Sequence, residues 1–382
     1  MKDIKITSDK SEMAEIGRAL YKKRRLFTKV QSSTIKDTIL HFLPDATDKE
    51  REDFFYRYYY DYFLYGFSVD QLFYLHLINK THEEKQKYIS HTSKFLYYSR
   101  LNKRASMYVL EDKYEAYKML KSYYGREIIK INDDNDFDLF LDFISKHTEF
   151  VVKPIDLSNG LGIRKVNISQ TEDKKQLFYE MLGAGKAFDK AQDYKWSSDY
   201  TAAVLEEVIE QDETLNKLNP SSVNGIRMTT IRINGKVHIY HPWIKVAVGG
   251  EFVASATLGG FDACINPTTG IVETNGYLES GNYIEYHPDT KVKIKGFQIP
   301  KWSELINIAE EVANKMPDSI NYVGWDFVLT PKGWVIMEGN FYGDVMWQMC
   351  YDKGMKEEFE ELIGWKLEKY WWQYNMSDLE QK

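Results

Sequence analysis

The residues of this chain best suited to bind a metal ion are two carboxylates and one carboxamide in its C-terminal part. Asp326, Glu338 and Asn340 lie in the segment 324–340, which reads as two apolar strands around a Pro-Lys-Gly turn. Carboxylate and amide oxygens are the ligands that Mg²⁺ prefers, usually together with the phosphates of a substrate. The sequence therefore predicts a magnesium site on a β-hairpin. The alternative is a surface hairpin whose charges face water.

The expected register of this hairpin brings the metal ligands together. A three-residue loop that ends in glycine is a common hairpin connection, so we expect Thr330 to pair with Trp334. That pairing places Asp326 directly opposite Glu338, and the alternation of side chains places Asn340 on the face of Glu338. Two opposed carboxylates repel each other in a bare sheet, and a bound divalent cation removes that conflict.

A second segment has the composition of a phosphate-binding loop. Residues 149–163 read as a short apolar strand that ends in Lys153 and Pro154, followed by a loop of small residues. Glycines let a backbone approach a ligand closely, and successive N–H groups can cradle phosphate oxygens. The lysine adds a positive charge for the same phosphates. The alternative is a flexible turn with a solvated lysine. The candidate loop residues are Ser158, Asn159, Gly160 and Gly162.

Together, these segments resemble the ATP-grasp superfamily. Its members share a lysine strand, a glycine-rich flap, an acidic hinge, an arginine strand and an acidic hairpin that ends in Glu-x-Asn. All five occur here in that order, over about residues 105 to 345. The matching segments are residues 151–154 for the lysine strand, 158–162 for the flap, 205–209 for the hinge, Arg227 for the arginine strand, and Asp326, Glu338 and Asn340 for the hairpin.

The resemblance implies a role for each of these residues. Lys153 and the flap would hold the nucleotide phosphates, and Arg227 would face the terminal phosphate. The hinge would bind adenine chiefly through backbone groups, and either Glu210 or Glu213 would reach the ribose. The alternative for this acidic run is an exposed strand end. An earlier lysine that contacts ATP in many members matches Lys113. The hinge residues are Glu206, Glu207 and Val208.

Within the superfamily, the chain is similar to the sugar-transfer-associated branch, close to the teichuronopeptide-biosynthesis type. Three segments carry this similarity, namely residues 220–227, 287–290 and 297–302. The branch implies work on bacterial surface polysaccharides. Several polar and glycine residues are candidates for a substrate pocket, although the glycine pair and the histidine could equally be turn residues. These candidates are Gly259, Gly260, Asp262, Asn266 and His287.

The resemblance also implies a reaction. We expect an ADP-forming, ATP-dependent carboxylate–amine ligase that works through an acyl phosphate, with ATP and Mg²⁺ as cofactors and Arg227 and Lys153 as catalytic residues. The expected partners are a small-molecule or sugar carboxylate, specifically a uronic-acid sugar, and an amine or amino acid. Other polysaccharide-biosynthesis enzymes are a further class of partner. Two other functions stay open: a phosphotransferase that acts on a sugar or other small acceptor, and a non-catalytic ATP-binding assembly protein.

Length, charge and cysteine content limit the class of protein. The 382 residues exceed one usual core, so two or three domains are expected. The formal net charge of -7 argues against nucleic acid as a partner, because proteins that bind it usually carry a basic face. Cys264 and Cys350 are too few for a disulfide framework or a cysteine zinc site. The N-terminus lacks the apolar core of a signal peptide and no stretch has the length of a membrane span, so we expect a cytoplasmic protein.

The distribution of residue types predicts an α+β fold in three parts, and the resemblance implies that the helical region is followed by two lobes with ATP between them. Residues 1–104 contain almost no glycine or proline and predict that helical region, which could be a lid, a docking module or a scaffold. Residues 105–208 alternate helical and strand patterns and predict a first ATP-grasp lobe with the glycine-rich flap. Residues 209–382 are richer in strand patterns and predict a second lobe with the metal-binding hairpin.

Individual elements of the two lobes are also expected. The pattern predicts a helix from Asp112 to Tyr124 that ends at Gly125, followed by a short strand over residues 126–131. In the second lobe, Asn234-Gly235 is the strongest short signal for a hairpin turn. After Pro300, apolar residues at helical spacing predict one clear helix.

Overall fold

The computed structural model describes residues 4–23, 29–155, 162–182, 202–251, 254, 259–375 and 379. None of the helices described there is long and apolar enough to cross a membrane. In chain order these helices are α1 (Lys10–Lys23), α2 (Lys29–Phe42), α3 (Asp48–Tyr65), α4 (Val69–Tyr74), α5 (His82–Lys85), α6 (His91–Leu101), α7 (Tyr108–Glu111), α8 (Lys113–Tyr124), α9 (Phe137–Lys146), α10 (Lys174–Leu182), α11 (Glu213–Asn216), α12 (Trp302–Lys315), α13 (Met346–Cys350) and α14 (Lys356–Ile363). The strands are β1 (Ile128–Ile131), β2 (Glu149–Pro154), β3 (Arg164–Asn167), β4 (Ala203–Glu207), β5 (Gly225–Ile233), β6 (Lys236–Val246), β7 (Phe261–Cys264), β8 (Gly276–Leu278), β9 (Tyr283–Ile284), β10 (Tyr322–Thr330) and β11 (Gly333–Asn340).

The chain forms two compact units. The first unit consists of Met1–Lys103, Glu279–Tyr283 and Asp344–Lys382, and the second consists of Arg104–Leu278 and Ile284–Gly343. The sequence analysis assigned the C-terminal segment to the second lobe, whereas the structure groups it with the N-terminal helices. The three-part division of the chain stays a prediction.

The first unit is helical, as the sequence analysis expected for the N-terminal region. Its helix α3 begins at a capping box between Thr47 and Glu50 and ends at Gly66, which has a φ of 83°. A Cβ atom at Gly66 would meet the hydroxyl oxygen of Thr92 at 1.6 Å, so this close approach requires glycine. The aromatic side chains of α3 form much of the buried core of this unit; among them are Phe54, Phe55, Tyr58, Tyr59, Tyr60 and Phe63.

The first sheet of the second unit has four antiparallel strands in the order β1-β4-β2-β3. Helix α9 packs on it and buries Phe140, Phe143 and Ile144 in a core shared with β1, β2 and β4. The helix predicted from Asp112 to Tyr124 is also confirmed. It is α8, which is capped by the Asp112 side chain and followed by Gly125 in the left-handed conformation. The predicted strand over residues 126–131 begins two residues later, at Ile128.

The second sheet has seven strands in the order β11-β10-β5-β6-β7-β8-β9. The predicted Asn234-Gly235 turn is confirmed, because Ile233 pairs with Lys236. Helix α12, also predicted, packs against β5 and β6 and buries Leu305 and Val312 in the core. Since side chains alternate along a strand, the residues next to the core positions of β5 and β10 face away from α12. The opposite face of this sheet therefore carries the polar residues of the candidate site. With helices and two largely antiparallel sheets, the structure confirms the predicted α+β fold.

Candidate active site

The hairpin β10–β11 places two carboxylates directly opposite each other. Asp326 pairs with Glu338, as predicted, but the predicted pairing of Thr330 with Trp334 is wrong, because Thr330 pairs with Gly333. The turn is one residue shorter than expected, since the Thr330 hydroxyl accepts from the Lys332 backbone N–H at 3.2 Å and donates to the Gly333 carbonyl at 2.8 Å. A β-bulge between Asp326 and Phe327 in this pairing adds a residue to β11 and restores the register at the carboxylates.

Asp326 is buried between two cationic side chains. Arg227, its direct neighbour on β5, donates from Nε at 2.6 Å and from Nη2 at 2.9 Å to the two carboxylate oxygens. Lys245 on β6 donates to the same carboxylate at 3.3 Å. Burial alone would raise the pKa of Asp326, but the positive charges of Arg227 and Lys245 lower it to about 2. Asp326 is therefore an anion at neutral pH. The sequence analysis did not single out Lys245, although a lysine between the apolar residues Ile244 and Val246 was a usable signal.

Asn340 completes the oxygen set. Its side-chain nitrogen donates to the Gly324 carbonyl at 3.2 Å and to Asp326 at 3.4 Å, so its amide oxygen is the atom left for a cation. In the described part of the chain, no group of three or more His, Cys, Asp or Glu side chains is placed to hold a metal ion. Two carboxylates and one amide oxygen nevertheless fit Mg²⁺, which completes its coordination with water and substrate phosphates.

Lys113 lies close to the hairpin. Its ammonium nitrogen is 3.6 Å from the Glu338 carboxylate and donates to the Ile155 carbonyl at 3.4 Å. Ile155 directly follows β2 and precedes the segment 158–162 that the sequence analysis assigned to the flap. Ser158, Asn159 and Gly160 lie outside the described residues. The remaining flap candidate, Gly162, has a φ of 73° and so adopts a conformation that favours glycine.

A buried ion cluster holds the lysine that was predicted to bind phosphate. Lys153 donates to the Glu206 carboxylate at 2.9 Å, and Arg126 donates to the same oxygen from Nε at 3.0 Å and Nη2 at 2.7 Å. Burial alone would raise the pKa of Glu206, but Arg126 and Lys153 lower it to about 2. One carboxylate oxygen of Glu206 thus accepts from both cations inside the protein, which favours its backbone for the predicted contact with adenine.

The rest of the predicted hinge is only partly directed outward. Glu207 bonds through both its backbone N–H and its carboxylate to the backbone of Glu127, at 3.0 and 3.1 Å, while Val208 follows the end of β4. Glu210 and Glu213 both line one pocket of about 790 Å³, together with Ser221 and the hairpin residue Pro331. Because both glutamates reach this pocket, the choice between them for the ribose stays open.

A network of buried amides fixes the loop between the hinge and the arginine strand. Gln211 donates to the Asn219 carbonyl at 3.0 Å and to the Ser222 carbonyl at 3.2 Å, and its side-chain oxygen accepts from the Asn224 N–H at 2.6 Å. Asn224 in turn donates to the Leu215 carbonyl at 2.9 Å. The network ends one residue before β5, which carries Arg227, so it sets where that strand begins.

Two of the predicted substrate residues are used internally. The Asn266 side chain accepts from the backbone N–H groups of Thr268 and Thr269, both at 2.9 Å, and is therefore a turn residue. His287 is fully buried: Nε2 lies 3.0 Å from the Ala247 carbonyl, and Nδ1 accepts from the Asp289 N–H at 3.1 Å. Neither placement supports direct contact with a substrate, because the polar atoms already have partners.

The other predicted substrate residues lie nearer the charged face. Asp262 on β7 pairs directly with Lys245, so the two side chains share the face that carries Asp326. Gly259 has a φ of 83°, which favours glycine, and Gly260 precedes β7 and is buried. Contact of these three residues with a substrate stays a prediction.

Comparison with known proteins identifies the family. A model of the sugar-transfer-associated ATP-grasp family matches residues 93–363. No match was found among curated proteins. Similar solved structures include D-alanyl-alanine synthetase A from Vibrio cholerae O1 biovar eltor str. N16961, with 13% identity, a TM-score of 0.38 and coverage of 66% of this chain and 60% of that one. D-Alanine–D-alanine ligase from Helicobacter pylori has 14% identity, a TM-score of 0.40 and coverage of 68% and 62%.

A third structure, the ATP-grasp ligase PsnB complexed with minimal precursor, has 10% identity, a TM-score of 0.34 and coverage of 70% of this chain and 59% of that one. The chain thus spans about 60% of the length of the first of these structures. Values this low do not extend the likeness to a substrate or a reaction. The family model, by contrast, matches well over half of the sequence. The chain belongs to the sugar-transfer-associated ATP-grasp family.

Proposed function

We propose that this protein is an ADP-forming, ATP-dependent carboxylate–amine ligase. The observation that carries the proposal is the arrangement of Asp326 opposite Glu338, with Arg227 and Lys245 bonded to Asp326 and Lys113 beside Glu338. Carboxylates and cations on one sheet face can hold a metal–phosphate complex and stabilise the charge that develops when a phosphoryl group moves.

The nucleotide would be bound by residues of both sheets of the second unit. Lys153 and Lys113 supply positive charge for the phosphates. The flap candidates come shortly after Lys153 in the chain, so they would bind the same phosphates. The hinge backbone at Glu207 and Val208 would bind adenine, with Glu210 or Glu213 at the ribose. The Lys153 ammonium group donates to Glu206 in this structure. To contact a phosphate, it must donate to the phosphate in addition to Glu206 or in place of it, and a phosphate oxygen at hydrogen-bond distance is a suitable charged acceptor.

The hairpin would hold Mg²⁺ through Asp326, Glu338 and the amide oxygen of Asn340. When bound, the ion offsets negative charge on the phosphate oxygens. Arg227 would keep Asp326 ionised and oriented, and its planar guanidinium can reach a phosphoryl oxygen while it holds the carboxylate. Lys245 adds a second cation on the same face, so we include it among the catalytic candidates.

The proposed reaction has two steps. An oxygen of the substrate carboxylate attacks the terminal phosphorus of ATP, the bond to the bridging oxygen breaks, and ADP leaves. The amine nitrogen then attacks the acyl carbon, loses a proton, and displaces inorganic phosphate to give an amide. The family description, which associates the fold with sugar transfer, supports a sugar substrate. We propose a uronic-acid sugar as the carboxylate, in the biosynthesis of a surface polysaccharide.

The test is trapping of the acyl phosphate. Purified protein with ATP, Mg²⁺ and a panel of uronic acids and nucleotide-linked uronic acids is incubated with hydroxylamine in place of the amine. We expect a hydroxamate together with ADP and phosphate in equal amounts. Arg227→Lys should slow this reaction far more than it weakens ATP binding, because lysine cannot span two oxygens.

Glu338→Gln is the matched inactive variant. Glu338 is part-exposed, so its loss should leave the melting temperature nearly unchanged while hydroxamate formation falls by about a hundredfold or more, because a metal ligand supplies several kcal/mol of transition-state stabilisation. Glu304→Gln, an exposed carboxylate on α12, should keep full activity. A stable phosphorylated sugar without hydroxamate would replace the ligase with a phosphotransferase.

A further inference from the structure

Arg126 is a buried arginine to which the sequence analysis assigned no functional role. It follows α8 and Gly125, and only 3% of its side chain is exposed. Besides its two bonds to Glu206, its guanidinium donates to the Ile336 carbonyl at 2.7 Å and to the Met337 carbonyl at 3.2 Å. One side chain thus joins the first sheet, through β4, to the outer strand of the second sheet.

The two carbonyls lie where the hairpin is irregular. Ile336 pairs with Phe327 and Glu338 pairs with Asp326, so Met337 is the extra residue of the bulge. Among the described strands β11 is at the end of its sheet, where backbone groups that face outward have no ladder partner. Arg126 supplies hydrogen bonds to the carbonyls of this segment. Since the bulge sets Glu338 opposite Asp326, Arg126 holds the backbone that positions a proposed metal ligand.

The same guanidinium also fixes the lysine proposed to bind phosphate. Arg126 and Lys153 donate to the same Glu206 oxygen, at 2.7 and 2.9 Å. If Arg126 were removed, Lys153 would remain as the cation bonded to this buried carboxylate. Lys153 would then be held more tightly away from a phosphate, and the bulge carbonyls would lose a donor.

The chain at Gly125, between α8 and Arg126, lies unusually close to the β10–β11 hairpin. Gly125 has a φ of 60°, and a Cβ atom there would meet a methyl group of Val335 at 2.6 Å. Glycine thus lets the chain after α8 come against β11 one residue before Arg126 donates to it.

We propose that Arg126 is a positioning residue that couples the phosphate-binding Lys153 to the metal ligand Glu338, so that nucleotide and Mg²⁺ are bound cooperatively. The inference rests on the proposed function, because it assumes that both residues serve one magnesium–nucleotide complex. Arg126 itself contacts neither ligand in this scheme; it fixes the distance and orientation between the two groups that do.

The experiment measures binding and needs no turnover. A non-hydrolysable ATP analogue is titrated calorimetrically into the wild-type protein, Arg126→Met and Arg126→Lys, once with excess Mg²⁺ and once with a chelator. The quantity compared is the factor by which Mg²⁺ increases nucleotide affinity. Loss of a residue that orients a metal ligand commonly weakens metal binding by about tenfold or more, so we expect this factor to fall by roughly that amount in both variants.

Arg232→Met is the matched control. Arg232 is also largely buried and donates to backbone carbonyls, at 3.0 Å to Met316, 2.6 Å to Pro317 and 3.2 Å to Ile320, but it lies at the α12 side of the sheet. Its loss should lower the melting temperature and leave the magnesium factor at the wild-type value. A third variant, Glu206→Gln, should also lower the magnesium factor, because it removes the carboxylate charge through which Arg126 and Lys153 are joined. A wild-type factor in this variant would refute the coupling.

The outcomes separate the two proposals. If the Arg126 variants lose thermal stability but keep the wild-type magnesium factor, as Arg232→Met should, Arg126 has a structural role only and the coupling is refuted. Arg126→Lys keeps the charge and covers the case in which the methionine variant does not fold. If the wild-type protein binds no nucleotide under either condition, the proposed function itself fails, and the coupling fails with it.

Discussion

Glu206 shows how a single buried carboxylate depends on its two cationic neighbours. Its pKa lies at about 2 in the folded protein against an ordinary value of 4.5, because Arg126 and Lys153 outweigh the effect of burial. A carboxylate whose pKa is lowered by folding stabilises the folded state above its unfolded pKa. That contribution is lost as the pH falls through the interval between the two values.

The first prediction concerns stability in acid. The free energy of unfolding should fall as the pH is lowered from about 4.5 toward about 2, and Glu206 should account for on the order of 3 kcal/mol of that loss. Glu206→Gln should be less stable at neutral pH and should show a shallower acid dependence, measured by urea unfolding at several pH values. Glu304→Gln, which is exposed, should keep the wild-type slope. An unchanged slope in Glu206→Gln would contradict the assignment.

At the scale of single residues, the sequence predicted the types of chemistry better than the partners. Asp326, Glu338 and Asn340 were predicted together because strand alternation and hairpin pairing follow local rules. Lys245 and Arg126 were not predicted, because the order of strands in the sheets brings them to their partners from distant positions. Asn266 and His287 were candidates for a substrate pocket, with a turn as the alternative for His287. Polar residues in turns also satisfy their own backbone, and the sequence alone does not distinguish the two uses.

Gly324 in β10 leaves room for the side chain of Arg227 on the neighbouring strand β5. A Cβ atom there would meet the Arg227 side chain, at 3.2 Å from both Cδ and Nη1, and the Gly343 Cα at 3.3 Å. Arg227 thus lies across the surface that the glycine leaves open. Gly225, on the neighbouring strand, has room for a Cβ atom, since its nearest neighbour would be a Met337 methyl at 3.7 Å.

The second prediction uses this pair of glycines. Gly324→Ala should displace Arg227 by a few tenths of an ångström and lower the rate of hydroxamate formation by roughly tenfold to a hundredfold, since small misplacements at a reacting centre cost that much. Gly225→Ala should have nearly wild-type activity. Both variants should keep their nucleotide affinity, measured by calorimetry. Equal activity of the two variants would show that the Arg227 position is not critical.

At the scale of elements, the helices and hairpins that carry strong end signals were predicted. The capped helix after Asp112, the turn at Asn234-Gly235 and the helix after Pro300 are examples, because caps, turn residues and apolar spacing act within a few residues. The turn of the β10–β11 hairpin was predicted one residue too long. The error did not move the carboxylates, because the bulge added one residue to β11. Bulges depend on contacts such as those of Arg126, which a local pattern does not contain.

The C-terminal segment belongs to the first unit through two tryptophans. The indole N–H groups of Trp371 and Trp372 donate to the carbonyls of Tyr62 and Phe63, at 2.7 and 3.0 Å, at the end of α3. The Trp371 ring also packs edge-on against Tyr62, with 4.8 Å between centroids. The Tyr62 carbonyl also accepts from the Gly66 backbone N–H at 2.8 Å, so the Trp371 indole is an additional donor at the end of this helix.

The third prediction tests the two indole donors of Trp371 and Trp372 at the end of α3. The double variant Trp371→Phe and Trp372→Phe keeps the aromatic packing but removes both donors, so it should lose about 1 kcal/mol for each hydrogen bond. Amide hydrogen exchange in the last turn of α3 should become faster. Tyr370→Phe keeps both indole donors and should exchange at the wild-type rate. No change in the double variant would mean that water replaces the indoles at no cost.

At the scale of the whole molecule, the sequence predicted an α+β protein with a helical N-terminal region, and this is what the structure shows. The sequence did not predict that residues after Gly343 return to the N-terminal helices. This return depends on side-chain donors such as Trp371 meeting a helix end more than 300 positions away. Contacts at such separations leave no periodic signal in either segment.

The charged side chains of the candidate site have a balance of their own. Within the ion pairs around Glu206, Asp326 and Glu338, five cations stand against three carboxylates. Asp262, opposite Lys245 on the same sheet face, reduces this local surplus to one positive charge, in a chain whose formal net charge is -7. The cations are Lys113, Arg126, Lys153, Arg227 and Lys245, and the anions are Glu206, Asp326 and Glu338.

This balance affects which molecules enter and leave the site. Far from the site, the acidic protein repels a nucleotide, whereas close to it the local surplus attracts one; association should therefore depend on ionic strength. The carboxylate substrate of the proposed reaction would be attracted for the same reason. An amide carries no charge in place of that carboxylate, so the reaction would convert a ligand that the site attracts into one that it holds less strongly.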